Sequence, residues 1–192
     1  MSADERVEIG EVTRLLRDVR GGDADARERL FALIYDDLRG IARRQLRREM
    51  YSRTIEPTAL IHEAYLKMVG GVSAPIDAGD RAHLLSLAAR AMRQVLVDQA
   101  RRRIAAKRVD GWNRVTLSDA GPADGLGADE LLALNDALER LDERQRCIVE
   151  SRYFGGMEER EIAEALGITE RTVRRDWVKA RAWLNHALQG TA

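Results

Sequence analysis

The stretch 159–184, EREIAEALGITERTVRRDWVKARAWL, constrains what this chain can fold into more than any other part of it. Ile162, Ala163 and Leu166 recur at helical spacing. Gly167 follows them, the residue type that takes the left-handed backbone needed to end a helix in a tight turn. Ile168 is placed to plug the corner, and Thr169 to cap a second helix with a hydroxyl that accepts from an unpaired backbone N–H. In that second helix Val173, Trp177, Ala180 and Leu184 form the apolar stripe, which leaves Glu170, Arg171, Thr172, Arg174, Arg175 and Lys179 outward. A helical hairpin with a solvated basic face would share this periodicity. Turn glycine, plug, cap and basic face coincide here, and together they predict a helix-turn-helix, whose second helix enters the major groove of DNA.

The remainder of the chain also reads as helical. Hydrophobic residues make up 45% and aromatic residues 5%, and Ala, Leu, Arg and Glu dominate, so the cores are aliphatic and built from good helix formers. At 192 residues the chain is long enough for one large domain or two small ones. Its formal net charge is +0, yet the charges are segregated. Residues 81–108 are basic, with Arg101, Arg102, Arg103, Lys107 and Arg108 and a single acid, Asp98, whereas 110–143 are mostly acidic. Local potential therefore matters more than the sum. A lone Cys147 excludes an internal disulfide, fits a reducing cytoplasm, and beside Ile148 and Val149 reads as a small core residue. With no signal-peptide pattern and no apolar run of spanning length, a soluble, cytoplasmic protein without membrane insertion is expected.

Along the chain, glycines separate the helices. Ile9, Val12, Leu15, Leu16 and Val19 share one face, ended by Gly21 and Gly22. Asp23 caps a long second helix with Leu30, Leu33, Ile34, Leu38, Ile41 and Ala42 inward and Arg39, Arg43, Arg44, Arg47 and Arg48 on its outer surface. Pro57 suits the first turn of a third helix, whose core stripe is Leu60, Ile61, Ala64, Tyr65 and Met68. After a polar loop to Asp80, a fourth helix runs to about Arg103 and turns Leu84, Leu87, Ala88, Ala91 and Val95 inward. No periodicity persists from 104 to 128, where glycines and Pro122 collect. A second helical set then buries Leu131, Leu134, Leu138 and Leu141, with Asp142 and Gln145 spaced as a capping box. The expectation is an all-α chain of two small helical domains, 1–105 and 129–192, joined by a flexible linker over 106–128, the C-terminal one carrying the helix-turn-helix.

Catalytic and metal patterns do not assemble. His62 and Glu63 begin like a zinc-protease helix, but the second histidine of that motif is replaced by Leu66. His62, His83 and His186 are scattered, so no metal set forms at recognised spacing. No nucleophile elbow occurs, and 121–127 lacks the lysine and helix that a phosphate-binding glycine loop needs. No metal, no cofactor and no catalytic chemistry of its own are expected.

Three stretches, TALIHEAYLKMV, HLLSLAARAMRQVLVDQARRR and RYFGGMEEREIAEALGITERTVRRDWVKARAWL, in this order and separation, resemble the bacterial RNA polymerase sigma factors of the extracytoplasmic-function (ECF) class. The resemblance runs from about 9 to 188. It implies a protein that binds core RNA polymerase and directs promoter-specific initiation, with 1–105 similar to sigma region 2 and 129–192 to region 4. The helix 58–69 looks like the segment that docks on the polymerase clamp helices, with Leu60, Ile61, Glu63, Leu66 and Lys67 at matching positions and Ala59 where the family often has an acid. As plain helix chemistry, Glu63 and Lys67 would be an exposed i,i+4 pair. The helix 83–103 resembles the segment that recognises and opens the −10 element. Arg90, Arg93, Gln94, Val97 and Arg101 are expected to project from one side of it, and Asp98 to pair with Arg101 or Arg102. The family catches a flipped base with the loop before this helix; here that loop has no aromatic residue, which leaves backbone groups, Ser73, Asp77 and Asp80. Thr169, Glu170, Arg171, Thr172, Arg174, Arg175 and Lys179 take the place of the −35 contacts.

The implied partners are core RNA polymerase and promoter DNA, and the resemblance admits an anti-sigma factor as a third. Two other classes stay open on the residues alone. A stand-alone helix-turn-helix regulator would need a dimerisation helix, and no sustained heptad is present. A decoy that binds polymerase or an inhibitor without starting transcription would share the docking helix.

Overall fold

The computed structural model describes residues 3–48, 55–69, 78–109 and 127–189. Among them every regular element is helical: α1 (Ala3–Arg20), α2 (Ala24–Arg48), α3 (Pro57–Val69), α4 (Arg81–Val109), α5 (Ala128–Glu139), α6 (Glu143–Val149), a π-helical turn (Glu150–Gly155), α7 (Glu159–Leu166) and α8 (Glu170–Gln189). The all-α expectation holds. Local chemistry sets the ends. Gly22, at φ 91°, turns the chain out of α1, and the Asp23 carboxylate then accepts from Ala26 N at 3.1 Å to start α2. Asp142 does the same for α6, accepting from Gln145 N at 2.9 Å. Glu158 and Glu161 form a reciprocal capping box at the start of α7.

α4 is the central helix. Leu84, Leu85, Ala88, Met92, Val95 and Leu96 are all buried, and α1, α2 and α3 pack against it on one side. Sequence periodicity alone makes this helix amphipathic; in the fold it is covered on both faces, because α5, the π-helical turn and α7 lie against the other. It is also longer than expected. Helix continues through Ile104, Ala105 and Ala106 to Val109, since no glycine or proline interrupts these residues before Gly111. The first part of the expected linker is therefore helical, and its remainder, 110–126, lies outside the described residues, as do Ser73 and Asp77.

In the C-terminal half α5 and α8 share Leu131, Leu134, Leu138, Ala180 and Leu184 with the main core. A smaller cluster of Ile148, Met157, Ile162, Ala163 and Val173 holds α6, α7 and α8 together, and half-buried Trp177 touches both clusters. The two helical sets thus meet directly and not only through the segment between them. Cys147 is half-buried beside Glu143, and burial together with that carboxylate pushes its thiol up to about 11. No helix among the described residues is long and apolar enough to cross a membrane.

Candidate nucleic-acid and polymerase interfaces

The C-terminal helix pair is built as its spacing implies. Gly167 is left-handed at φ 62°, Ile168 N donates back to Ala163 O at 3.0 Å, and Thr169 Oγ1 accepts from Thr172 N at 3.3 Å. Val173, Ala180 and Leu184 are buried, so Thr169, Glu170, Arg171, Arg174, Arg175 and Lys179 are exposed and Thr172 half-exposed. Two of the arginines are tied to the protein. Arg174 donates to Glu159 at 2.8 Å, and Arg175 Nε to Asp176 at 2.9 Å. Hydrogen bonds from Arg152 and then Arg174 hold the Glu159 carboxyl below its ordinary value. Arg152 also lies over the Trp177 ring, 4.9 Å from its centre.

Asp176 was not singled out from the sequence. It falls on the buried stripe between Val173 and Ala180, and a carboxylate at such a position signals a cation partner. Arg144 of α6 supplies one at 2.8 Å, locking α6 to α8. Burial alone would raise this carboxyl, but the hydrogen bonds from Arg175 and Arg144 outweigh it and hold it below the ordinary aspartate value.

The expected −10 face of α4 is divided. Arg101 stands exposed beyond the contact with the C-terminal half, Arg90 and Gln94 are half-buried, and Arg93 and Val97 are 0% exposed. The expectation that all five project outward is thus corrected at Arg93 and Val97, because the C-terminal helices cover that side of α4. Arg93 donates to Glu150 Oε1 at 2.5 Å and to Asn135 Oδ1, and Gln94 reaches the same Asn135 oxygen at 3.4 Å. Burial pushes the Glu150 carboxyl above its ordinary value, against the pull of Arg93 and Arg90. Sequence reading missed Glu150 and Asn135. The signal for Glu150 was a carboxylate directly after the apolar Ile148 and Val149.

On α3 the matched residues separate by face. Leu60 and Ile61 are buried in the main core, which corrects their reading as contact residues, while Glu63 is exposed and Leu66 is 64% exposed. Lys67 does not pair with Glu63: its Nζ lies 2.7 Å from Asp98 of α4. Asp98 was expected to pair with Arg101 or Arg102. It does form a long ion pair with Arg101 at 3.9 Å, beside the closer one from Lys67, while Arg102 donates to the Asp98 backbone carbonyl at 3.3 Å. Asp80, named for base capture, caps α4 by accepting from His83 N at 2.8 Å.

Among the described residues no group of His, Cys, Asp and Glu is arranged to hold a metal ion. Fold and surface define the class: an all-helical protein whose last two helices are joined by a left-handed glycine turn and expose arginines on the first turns of the second. Comparison with known families is specific. The model described as ECF sigma factor matches residues 9–190, and the chain belongs to the ECF sigma factor family. It is accordingly a sigma factor that directs promoter-specific transcription, with core RNA polymerase and promoter DNA as partners, in a family of non-enzymatic initiation factors. No curated protein matches the chain.

Proposed function

We propose that this sigma factor divides its work among three helices. α8 reads and holds the −35 element in the major groove with Arg171, Thr172, Arg174 and Arg175, while Thr169, Glu170 and Lys179 border the contact. α4 acts on the −10 element with Arg90, Arg93, Gln94 and Arg101, and Val97 supports that face from within. α3 docks on core polymerase through Glu63, Leu66 and Lys67, with Leu60 and Ile61 anchoring it to the core. The 1–105 and 129–192 regions act as the two DNA-contacting modules, joined through 106–128. The chain works in the cytoplasm, where polymerase and promoter are, and has no catalytic chemistry of its own.

The observation that carries this reading is the left-handed turn at Gly167, which starts α8 with Arg171, Arg174 and Arg175 exposed on its first turns. Footprinting with and without core polymerase tests it. Protection of both promoter elements with core and of neither without it is expected. Protection by the chain alone would instead identify a stand-alone regulator, and protection of neither in both cases a decoy.

A further inference from the structure

The outer side of α2 carries three arginines that the division of work among α3, α4 and α8 leaves unused. Arg39, Arg43 and Arg47 follow one another at intervals of four residues, a step of about 6 Å along the helix axis. All three are exposed, and none is bonded or ion-paired to a described residue. The nearby acids do not neutralise them. Asp37 is held by Arg81 at 2.6 Å, and Asp36, exposed at the head of the row, pairs with none of the three. Arg44 leaves the row and donates to the Gly155 carbonyl.

Gly40 lies on the same side, three residues before Arg43 and seven before Arg47. A glycine inside a helix lowers stability relative to alanine. Nothing in the fold requires it at this position, since its backbone is helical and a Cβ would meet only Arg44 Nη1, at an ordinary 3.8 Å. Like charges one turn apart also repel. This face thus departs twice from what favours a helix and gains nothing within the chain. A merely solvated face mixes its charges, as Arg14 and Glu11 do on α1 at 3.6 Å.

We propose that this face of α2 is a track for a nucleic-acid phosphodiester backbone. The three guanidiniums meet successive phosphates, and Gly40 lets the strand come close to the helix backbone. The contact adds affinity and position without reading sequence. It stands apart from the assignments of α3, α4 and α8 and requires only that the chain meets promoter DNA. An acidic protein surface fits less well. Protein interfaces keep an apolar centre, and the exposed large apolar side chains, Leu66, Val178 and Trp183, all lie on other helices.

Salt dependence provides the test, with the chain assembled on core polymerase and promoter affinity measured over a range of salt. Each phosphate contact contributes about 0.9 to the slope of log affinity against log salt on duplex and about 0.7 on a single strand. Joint replacement Arg39→Ala, Arg43→Ala and Arg47→Ala should therefore lower the slope by about 2.7 or about 2.1, respectively. Affinity for core and the preference among −35 sequences should stay unchanged. A closed promoter duplex and one with a pre-melted bubble distinguish the two sources: loss on both places duplex DNA on the track, and loss on the bubble alone places a single strand there. Lysine at all three positions should keep the slope. Gly40→Ala should raise Tm and yet weaken promoter binding, and unweakened binding overturns the close approach of the strand. An unchanged slope in the triple alanine variant overturns the track and leaves a solvated face. Lost affinity for core with an unchanged slope also overturns it, and gives the row to an acidic surface of the polymerase.

Discussion

Glu159, the first residue of α7, holds Arg174 of α8 through two hydrogen bonds to a single carboxylate oxygen, from Nε at 3.1 Å and from Nη2 at 2.8 Å. Its other oxygen accepts from Arg152 at 2.7 Å. A base-reading arginine needs its fork free to meet two acceptors on guanine, and Arg174 has already committed that fork. Arg171 is exposed and pairs with no described residue.

Arg171→Ala is therefore expected to change which −35 sequences are used, with discrimination of about 1–3 kcal/mol at one base pair. Arg174→Ala should weaken all −35 sequences alike and lower the salt dependence of promoter binding. Transcription from a randomised −35 library measures both, and the reverse pattern would refute the division.

Leu66→Ala should weaken association with core polymerase while changing stability by no more than about 0.5 kcal/mol, since its side chain packs against solvent. Leu60→Ala, at a position 0% exposed, should instead destabilise the fold by about 2–5 kcal/mol. A pull-down with core polymerase, paired with thermal melting of each variant, separates docking from folding.

The Asp176 carboxyl titrates below the ordinary value of 3.8, so its stabilising contribution is complete above that pH and is lost as pH falls through the lower folded value. Acid unfolding followed by circular dichroism should show this loss. Asp176→Asn should abolish that part of the pH dependence and cost about 1–3 kcal/mol at neutral pH, because Arg144 and Arg175 lose their acceptor charge. An unchanged acid transition in the variant would show that other carboxylates govern it.

Gly156 closes the π-helical turn at φ 70°, and a Cβ there would lie 2.6 Å from Arg44 Nε. Gly156→Ala should thus cost about 1–3 kcal/mol from backbone strain and displace Arg44 from the Gly155 carbonyl. A lower Tm together with faster amide exchange in the π-helical turn is the expected result. An unaltered Tm would mean that α2 does not hold the C-terminal half in place.

The sequence by itself determined the helices and the turn that presents α8. Apolar spacing, the Asp23 and Asp142 caps and the glycines at 22 and 167 act within a few residues of chain, so the signal for each is local. What only the tertiary structure decided is where each polar face goes. Periodicity marks Arg93 as lying off the leucine and alanine stripe of α4. Its fate depends on Glu150 and Asn135, which are remote in sequence and become neighbours only when the C-terminal half folds onto α4. Lys67 likewise finds Asp98 rather than Glu63, since two packed helices bring that carboxylate closer than one helical turn does. Leu60, Ile61 and Leu66 are equally apolar on paper. Which of them is buried and which is left for a partner follows from the angle at which α3 meets α2 and α4, and no local pattern encodes that angle.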